Sequence, residues 1–327
     1  MNSREIVRRT LEFDNPERIP GTFPAPYWND LVFVSYALEG FNPVWENVGG
    51  AREEYVDEWG NTWARIDPSS KGEVAKGVLE SWEDLDTLNL PDLGNPANFD
   101  CVREFCANPD ETRYRVGNLP GFPFNVARKM RRLDSFLMDI LLERERVLDL
   151  LGRIEDLLAE TIVQYAKTGV DAVMFPEDWG TQLALMVSPA IWREVFKPGF
   201  TRLCAVAHEH GIKVFMHSCG KITVIIPDLI ESGIDLLQFD QPQLHGLDAL
   251  AQFHGQITFW CPVDIQKTLQ TQDPKQITAE AHAMVDKMGQ GGGFIGGYYS
   301  DNMSIGLDPE IQAIACRAFM EHGVFAQ

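Results

Sequence analysis

From Tyr114 onward, the sequence alternates short apolar runs with longer amphipathic stretches. This alternation predicts strand–helix units, which build a parallel sheet with right-handed crossover connections. The predicted strands lie at residues 113–118, 171–175, 213–217, 235–239, 258–261 and 293–297. Apolar side chains at helical spacing predict a helix over residues 145–167. Ser188-Pro189 has the N-cap residue and first-turn proline that begin another helix, which extends to about residue 209.

Two earlier segments, at residues 19–23 and 62–66, are also predicted strands. Eight strands in all would close a (β/α)8 TIM barrel, and an α/β fold of this kind suits a chain of 327 residues. A doubly wound open sheet is the alternative. Because no internal repeat or flexible linker is visible, we predict a single TIM-barrel domain over residues 1–327, with an irregular N-terminal segment over about residues 1–110.

Charge and composition exclude several classes of partner. The chain has 28 Lys and Arg against 48 Asp and Glu, a net charge of -20, which disfavours nucleic acids and anionic membranes. No run of 18 apolar residues is present, so we expect no transmembrane helix, and the charged start of the chain leads into no secretory signal. Six cysteines in such a chain predict a reducing compartment, and we expect a cytoplasmic protein.

In a barrel, the residues that follow each strand share one rim, and that rim carries the chemistry. Acids, thiols and aromatic residues dominate the predicted rim, which contains no arginine. Its candidate site residues are Phe122, Glu177, Asp178, Trp179, His217, Cys219, Gln241, Cys261, Asp264, Tyr298, Tyr299 and Asp301. This composition favours a cation-binding site in an aromatic pocket over a phosphate site.

His217 and Cys219 are the main candidates for metal ligands. Side chains two residues apart on an extended segment point the same way, and imidazole and thiolate are common zinc ligands. Cys261, at the end of the strand two positions further along the sheet, is the predicted third ligand. The structural alternative is a hydrogen-bonded buried histidine beside small apolar cysteines.

The acids and aromatic residues of the rim have further predicted roles. Glu177, Asp178 and Asp264 are candidate catalytic acids or bases, and Glu177 or Asp178 could instead be a fourth ligand or orient His217. The predicted substrate-binding residues are Phe122, Trp179, Gln241, Tyr298, Tyr299 and Asp301. For each acid the alternative is a solvated loop residue, and for each aromatic ring it is packing beneath the loops.

Several segments together resemble the uroporphyrinogen decarboxylase superfamily, a set of (β/α)8 barrels. They are residues 4–20 (REIVRRTLEFDNPERIP), 188–198 (SPAIWREVFKP), 216–220 (MHSCG) and 292–295 (GGFI). The true decarboxylases bind their porphyrinogen through an arginine-rich N-terminal segment. The equivalent residues 20–30 here contain no arginine, so the resemblance favours another branch of the superfamily.

That branch is the cobamide-dependent methyltransferases, whose zinc is bound by a His-x-Cys motif and a later cysteine. His217 and Cys219 match the motif, whereas Tyr298-Tyr-Ser-Asp301 stands where the family has its later cysteine. The remaining ligand would then be Cys261, Asp301 or Glu177.

This second resemblance also implies a reaction and its partners. We expect a zinc-dependent methyltransferase that acts on a thiol, methyl ether or methylamine type of substrate. Its cobamide would be held by a partner corrinoid protein, and a homodimer is also implied. The alternatives are a metal-free decarboxylase or lyase acting on a small organic acid through Glu177 or Asp264, and a non-catalytic binding protein.

Overall fold

The computed structural model describes residues 1–325, which form an α/β fold around a curled parallel sheet. The strands are β1 (Leu31–Val34), β2 (Glu46–Gly49), β3 (Arg52–Val56), β4 (Thr62–Arg65), β5 (Glu73–Lys76), β6 (Tyr114–Asn118), β7 (Ala172–Pro176), β8 (Lys213–His217), β9 (Leu236–Gln238), β10 (Thr258–Cys261) and β11 (Phe294–Gly296). Seven of them make the parallel sheet, in the order β1-β6-β7-β8-β9-β10-β11. The other four make an antiparallel sheet, in the order β2-β3-β4-β5.

Helices connect the parallel strands and cover the outer face of the sheet, except for α1, which precedes β1. They are α1 (Ser3–Leu11), α2 (Asp100–Cys106), α3 (Pro123–Met130), α4 (Leu133–Leu142), α5 (Arg144–Thr168), α6 (Pro189–Val195), α7 (Lys197–Glu209), α8 (Ile226–Ser232), α9 (Pro242–His245), α10 (Leu247–Ala251), α11 (Pro274–Met284) and α12 (Pro309–His322). Among residues 1–325, every helix is either too short or too polar to span a lipid bilayer.

The six strands predicted after Tyr114 are confirmed, each within one residue at either end. The predicted helix at residues 145–167 is α5, which ends at Gly169 with a φ of 91°. The helix predicted from Ser188 begins as expected, because the Ser188 hydroxyl accepts a hydrogen bond from Ile191 N. It divides into α6 and α7 at Phe196, since Pro198 has no N–H to donate to the preceding turn.

The eight-stranded barrel is not confirmed, because the structure has seven parallel strands within residues 1–325. Residues 19–23 touch the sheet through one isolated parallel bridge between Gly21 and Gly296. The predicted strand at residues 62–66 exists as β4, but it belongs to the antiparallel sheet. Sequence reasoning missed β1, which pairs with β6 from Leu31 to Val34.

The curl of the parallel sheet follows from its inner side chains. One buried cluster contains residues of all seven strands, which a flat sheet could not bring together: Leu31, Tyr114, Val116, Ala172, Phe215, Leu236, Trp260 and Ile295. Val7 and Leu11 of α1 belong to the same cluster and cover one end of it. Since strand side chains alternate between faces, this cluster defines which positions point inward.

The N-terminal segment, predicted to be irregular, instead contains β1 and the whole antiparallel sheet. Tyr55 of β3 stacks beside Trp63 of β4 with ring centroids 5.9 Å apart, a cross-strand aromatic pair that stabilises the sheet. The turn between these strands is held by Asp57, whose carboxylate accepts hydrogen bonds from Trp59 N, Asn61 N and Trp63 Nε1. These strands are short and rich in charged residues, so their apolar pattern is weak.

Candidate metal centre

Strand alternation places His217 at the end of β8 on the inner face of the curled sheet. Phe215 lies in the inner cluster, and His217, two residues later, points the same way. Its imidazole retains 19% of its accessible surface, so it borders an open space above the packed interior.

Asp178, His217 and Cys219 form a group of three potential metal ligands. Their ligand atoms lie within 4.8 Å of one another, and within residues 1–325 this is the only such group of three or more His, Cys, Asp or Glu side chains. His217 Nε2 is 3.3 Å from Cys219 Sγ and 3.6 Å from Asp178 Oδ1. Nitrogen, sulfur and carboxylate oxygen donors at this spacing suit a zinc ion.

The other imidazole nitrogen of His217 is oriented by a hydrogen-bond chain. His217 Nδ1 donates to Gln238 Oε1 of β9, and Gln238 Nε2 donates to Asp240 Oδ1 over 2.9 Å. A neutral imidazole with its proton on Nδ1 has a free lone pair on Nε2, the nitrogen that faces Cys219 and Asp178. Such orientation of a ligand histidine is a usual part of metal sites.

Two glycines allow the Asp178 loop and the Cys219 loop to touch. A Cβ on Gly220, whose φ is +75°, would lie 2.1 Å from the carbonyl carbon and oxygen of Gly180. Gly180 N donates to Cys219 O over 3.2 Å, and Cys219 N donates to Asp178 Oδ1 over 2.8 Å. The close backbone contact therefore holds the carboxylate beside the thiol.

The surroundings of the thiol favour a cation. Burial and the negative charges of Asp178 and Asp240 raise the pKa of Cys219 to about 12, and Lys71 opposes the shift. A bound cation would stabilise the thiolate against these two carboxylates.

The sequence matches the uroporphyrinogen decarboxylase (URO-D) family model over residues 65–322, which is more than half of the chain. The chain belongs to the URO-D family. No curated protein sequence matches it.

One solved structure extends this comparison at the level of fold. A methyltransferase from Methanosarcina mazei is similar with a TM-score of 0.70 and 14% identity, over 98% of this chain and 99% of that chain. An endo-β-1,4-xylanase from Gloeophyllum trabeum has a TM-score of 0.42 and 11% identity, over 69% of this chain and 80% of that chain. An L-ribulose 3-epimerase has a TM-score of 0.45 and 15% identity, over 70% and 81% of the two chains.

Cys261 is not brought to the group, which corrects its prediction as the third ligand. Trp260 belongs to the inner cluster, so Cys261, the next residue of β10, points to the opposite, helix-covered face. The thiol is completely buried there, and burial raises its pKa. The distance between β8 and β10 along the sheet would allow Cys261 and His217 to share a site. The alternation of side chains does not, because it turns the Cys261 thiol to the opposite face.

Glu177 is completely buried and faces the start of α3. Its carboxylate accepts hydrogen bonds from Phe122 N, Phe124 N and Asn125 N at 2.9, 3.0 and 3.1 Å. Burial raises its pKa to about 8, whereas the three N–H groups favour the ionised form. Both oxygens are occupied, so this residue joins the end of β7 to α3 and lies outside the ligand group.

Asp264 has a similar structural role. Its carboxylate accepts hydrogen bonds from Gln243 N, Gln266 N and Lys267 N at 3.1, 3.0 and 2.8 Å. Its side chain is buried, and these hydrogen bonds join its own loop to the start of α9.

Phe122 and Trp179 are core residues, which corrects the prediction that they line a substrate pocket. Both side chains are completely buried. The Phe122 ring stacks on Phe175 with centroids 3.4 Å apart, and the Trp179 ring stacks on Phe124 at 4.0 Å. Large aromatic rings next to strand ends fill the space between the sheet and its helices.

The remaining predicted substrate residues lie on partly buried loops and stay predictions. Gln241 Oε1 accepts a hydrogen bond from Gln182, and Tyr298 Oη accepts one from Asn302. Tyr299 Oη lies 3.3 Å from Ser304 Oγ, and Asp301 Oδ1 accepts a hydrogen bond from Ser304 N. Asp301 is not part of the ligand group.

Sequence reasoning missed Gln238 and Arg128. Gln238 is a buried amide in the otherwise apolar strand β9. Because buried polar side chains have hydrogen-bond partners, a glutamine in this strand was the sequence signal that could have found it. Arg128 lies on α3, well after its strand, and its guanidinium is 3.9 Å from Asp178 Oδ2. The surroundings of the ligand group therefore include an arginine, contrary to the prediction made from the residues that directly follow the strands.

Proposed function

We propose that this chain is a zinc-dependent methyltransferase that moves a methyl group between a small substrate and a corrinoid protein. The single observation that carries the proposal is the clustering of Asp178, His217 and Cys219, with donor atoms within 4.8 Å. Membership of the URO-D family and the similar fold of the Methanosarcina mazei methyltransferase support the choice of reaction.

The donor set fits zinc through three protein ligands. His217 Nε2, the Cys219 thiolate and an Asp178 carboxylate oxygen would hold the ion, and three protein ligands leave one position for substrate. When bound, zinc supplies Lewis acidity, which activates a thiol or polarises the oxygen or nitrogen that carries the methyl group.

The chain itself supplies orientation. Gln238 holds the His217 ring, and the Gly180–Gly220 contact holds the Asp178 loop against Cys219. A thiol, methyl ether or methylamine type of substrate would then be kept in one position toward the cobamide of the partner protein, and such positioning lowers the barrier to transfer.

The alternative of a metal-free decarboxylase or lyase is less well supported. It needs Glu177 or Asp264 as a free acid or base. Each carboxylate accepts three backbone N–H hydrogen bonds, which occupy both of its oxygens.

The test is metal content by mass spectrometry, followed by methyl transfer from a methyl ether or methylamine to free cob(I)alamin, or from methylcob(III)alamin to a thiol. We expect about one zinc ion per chain in the wild type. Asp178→Asn and Cys219→Ser should lose the metal. Cys261→Ser should keep it, as should Cys101→Ser, an exposed cysteine that serves as the matched control. A wild-type protein that binds no zinc, or zinc lost in Cys261→Ser but kept in Asp178→Asn, would contradict the proposal.

A further inference from the structure

A cavity lined by three cations shares Arg128 with the surroundings of the ligand group. Arg128, Lys129 and Arg132, on the last turn of α3 and just beyond it, line a cavity of about 730 Å³. The opposite wall is the β4–β5 hairpin of the antiparallel sheet, including Trp63. The cavity is lined by three cations and two acids, a net charge of +1 in a chain with a net charge of -20, which favours anions locally.

Lys129 is the cation of this cavity that forms no direct ion pair, although the charges of Asp57 and Glu58 act on it from beyond the cavity wall. Its amine lies 5.6 Å from the Trp63 ring, and within residues 1–325 no carboxylate oxygen comes within 4.0 Å of it. Two acids also line the cavity, Glu73 and Asp134. Asp134 lies 3.5 Å from Arg132 at the exposed edge, so Arg132 has a direct partner and Lys129 has none within the same range.

Apolar side chains complete the cavity. Besides Trp63, its wall includes Val74, Leu133 and Leu137. Volumes of about 300–1,000 Å³ with mostly apolar walls and a few polar groups are typical of sites for small organic ligands. The occupant should therefore combine an anionic group with an apolar or aromatic body.

Arg128 connects the cavity to the ligand group. Its Nη2 is 3.9 Å from Asp178 Oδ2, and its Nε donates to Asn125 Oδ1 over 2.9 Å. Arg128 therefore borders both the cavity and the ligand group, whose three members do not themselves line the cavity.

We infer that this cavity binds an organic oxyanion, a carboxylate or a phosphate, borne on an apolar or aromatic body. Resting on the proposed function, this ligand is the methyl substrate, with its anionic end in the cavity and its methyl-bearing heteroatom at the ligand group. The chemical reason is that guanidinium and ammonium groups form their strongest hydrogen bonds with oxyanions, and an aromatic wall accommodates the body. Anion binding would also give Lys129 a direct ion pair.

Binding of four probes by calorimetry tests this inference. The anionic probes are 4-methoxybenzoate and 4-methoxyphenyl phosphate, and their neutral analogues are methyl 4-methoxybenzoate and 1,4-dimethoxybenzene. We expect at least one anion to bind about tenfold or more tightly than its neutral analogue, since a charged hydrogen bond contributes about 1.5–3 kcal/mol. The anion that binds identifies the ligand as a carboxylate or a phosphate.

Variants locate the site. Lys129→Met and Arg132→Gln should weaken anion binding about tenfold or more and leave neutral probes unaffected. Lys275→Met, an exposed lysine on α11, is the matched control and should bind as the wild type does. Circular dichroism confirms folding, and Arg132→Gln decides the question if Lys129→Met does not fold. Equal binding of anions and neutral probes, or anion binding unchanged in the folded cavity variants, would overturn the inference.

Zinc content measured on the same samples separates the two proposals. Anion binding that persists in a zinc-free Cys219→Ser protein would support the cavity independently of the metal. A wild-type protein with zinc but without anion preference would refute the cavity ligand alone. One with anion preference but no zinc would refute the proposed function alone.

Discussion

The close contact between Gly180 and Gly220 makes the ligand group sensitive to a single methyl group. In Gly220→Ala, the new Cβ would lie 2.1 Å from the Gly180 carbonyl, whereas ordinary contact begins at 3.4 Å. The two loops must therefore separate by about 1.3 Å, the difference between those distances.

This separation is large enough to break the site. The hydrogen bond from Cys219 N to Asp178 Oδ1 is 2.8 Å long and would be stretched to about 4 Å, beyond hydrogen-bond range. Asp178 would no longer be held beside Cys219 and His217. We expect zinc affinity to fall about 10- to 100-fold, the effect usual for losing an interaction that orients a ligand.

Competition with a chromogenic chelator measures this loss, and Gly211→Ala is the matched control. Gly211 has the same φ of +75° but nothing within 4 Å of its added Cβ. Both variants should therefore incur the strain of a left-handed alanine, about 1–2 kcal/mol of unfolding free energy, but only Gly220→Ala should lose zinc affinity. If the two variants bind zinc within about twofold of each other, the loop contact does not position the ligands.

Three further predictions concern other parts of the structure. Gln238→Leu removes the acceptor for His217 Nδ1, so zinc affinity measured by chelator competition should fall about 10- to 100-fold. Burial, with a smaller contribution from a nearby lysine, lowers the pKa of His245 from 6.5 to about 4. The unfolded chain therefore binds a proton before the folded one does, and wild-type stability relative to His245→Phe should decrease by about 3 kcal/mol as the pH falls from 6.5 to 4, measured by urea unfolding. Phe122→Ala should lower the unfolding free energy by about 3–5 kcal/mol without changing zinc content, because Phe122 is a core residue.

The first of these predictions has a matched control variant, and each of the other two has a result that would contradict it. Gln256→Leu changes an exposed glutamine and should leave zinc affinity unchanged. Equal pH dependence of stability in the wild type and His245→Phe would show that His245 is not the group responsible. Zinc lost from a folded Phe122→Ala protein would show that the core position matters to the ligand group after all.

The strands after Tyr114 were predictable because each is a short apolar run buried on both faces. Lys213–His217 and Thr258–Cys261 have the bounds that their sequence pattern indicates. β1 was missed because its four residues follow a proline-rich stretch without a clear helical or strand period. Without β1, the predicted barrel was completed with residues 62–66, which pair with other N-terminal strands instead.

The sequence alone determined the strand–helix alternation and the placement of His217 and Cys219 at one strand end, because both depend on neighbouring residues. The tertiary structure decided which other side chains lie beside His217 and Cys219. Asp178 reaches Cys219 because two glycines let separate loops touch, and Cys261 points away because β10 presents Trp260 inward. These outcomes depend on contacts between segments distant in sequence and on which face of the sheet each residue occupies, and local pattern specifies neither.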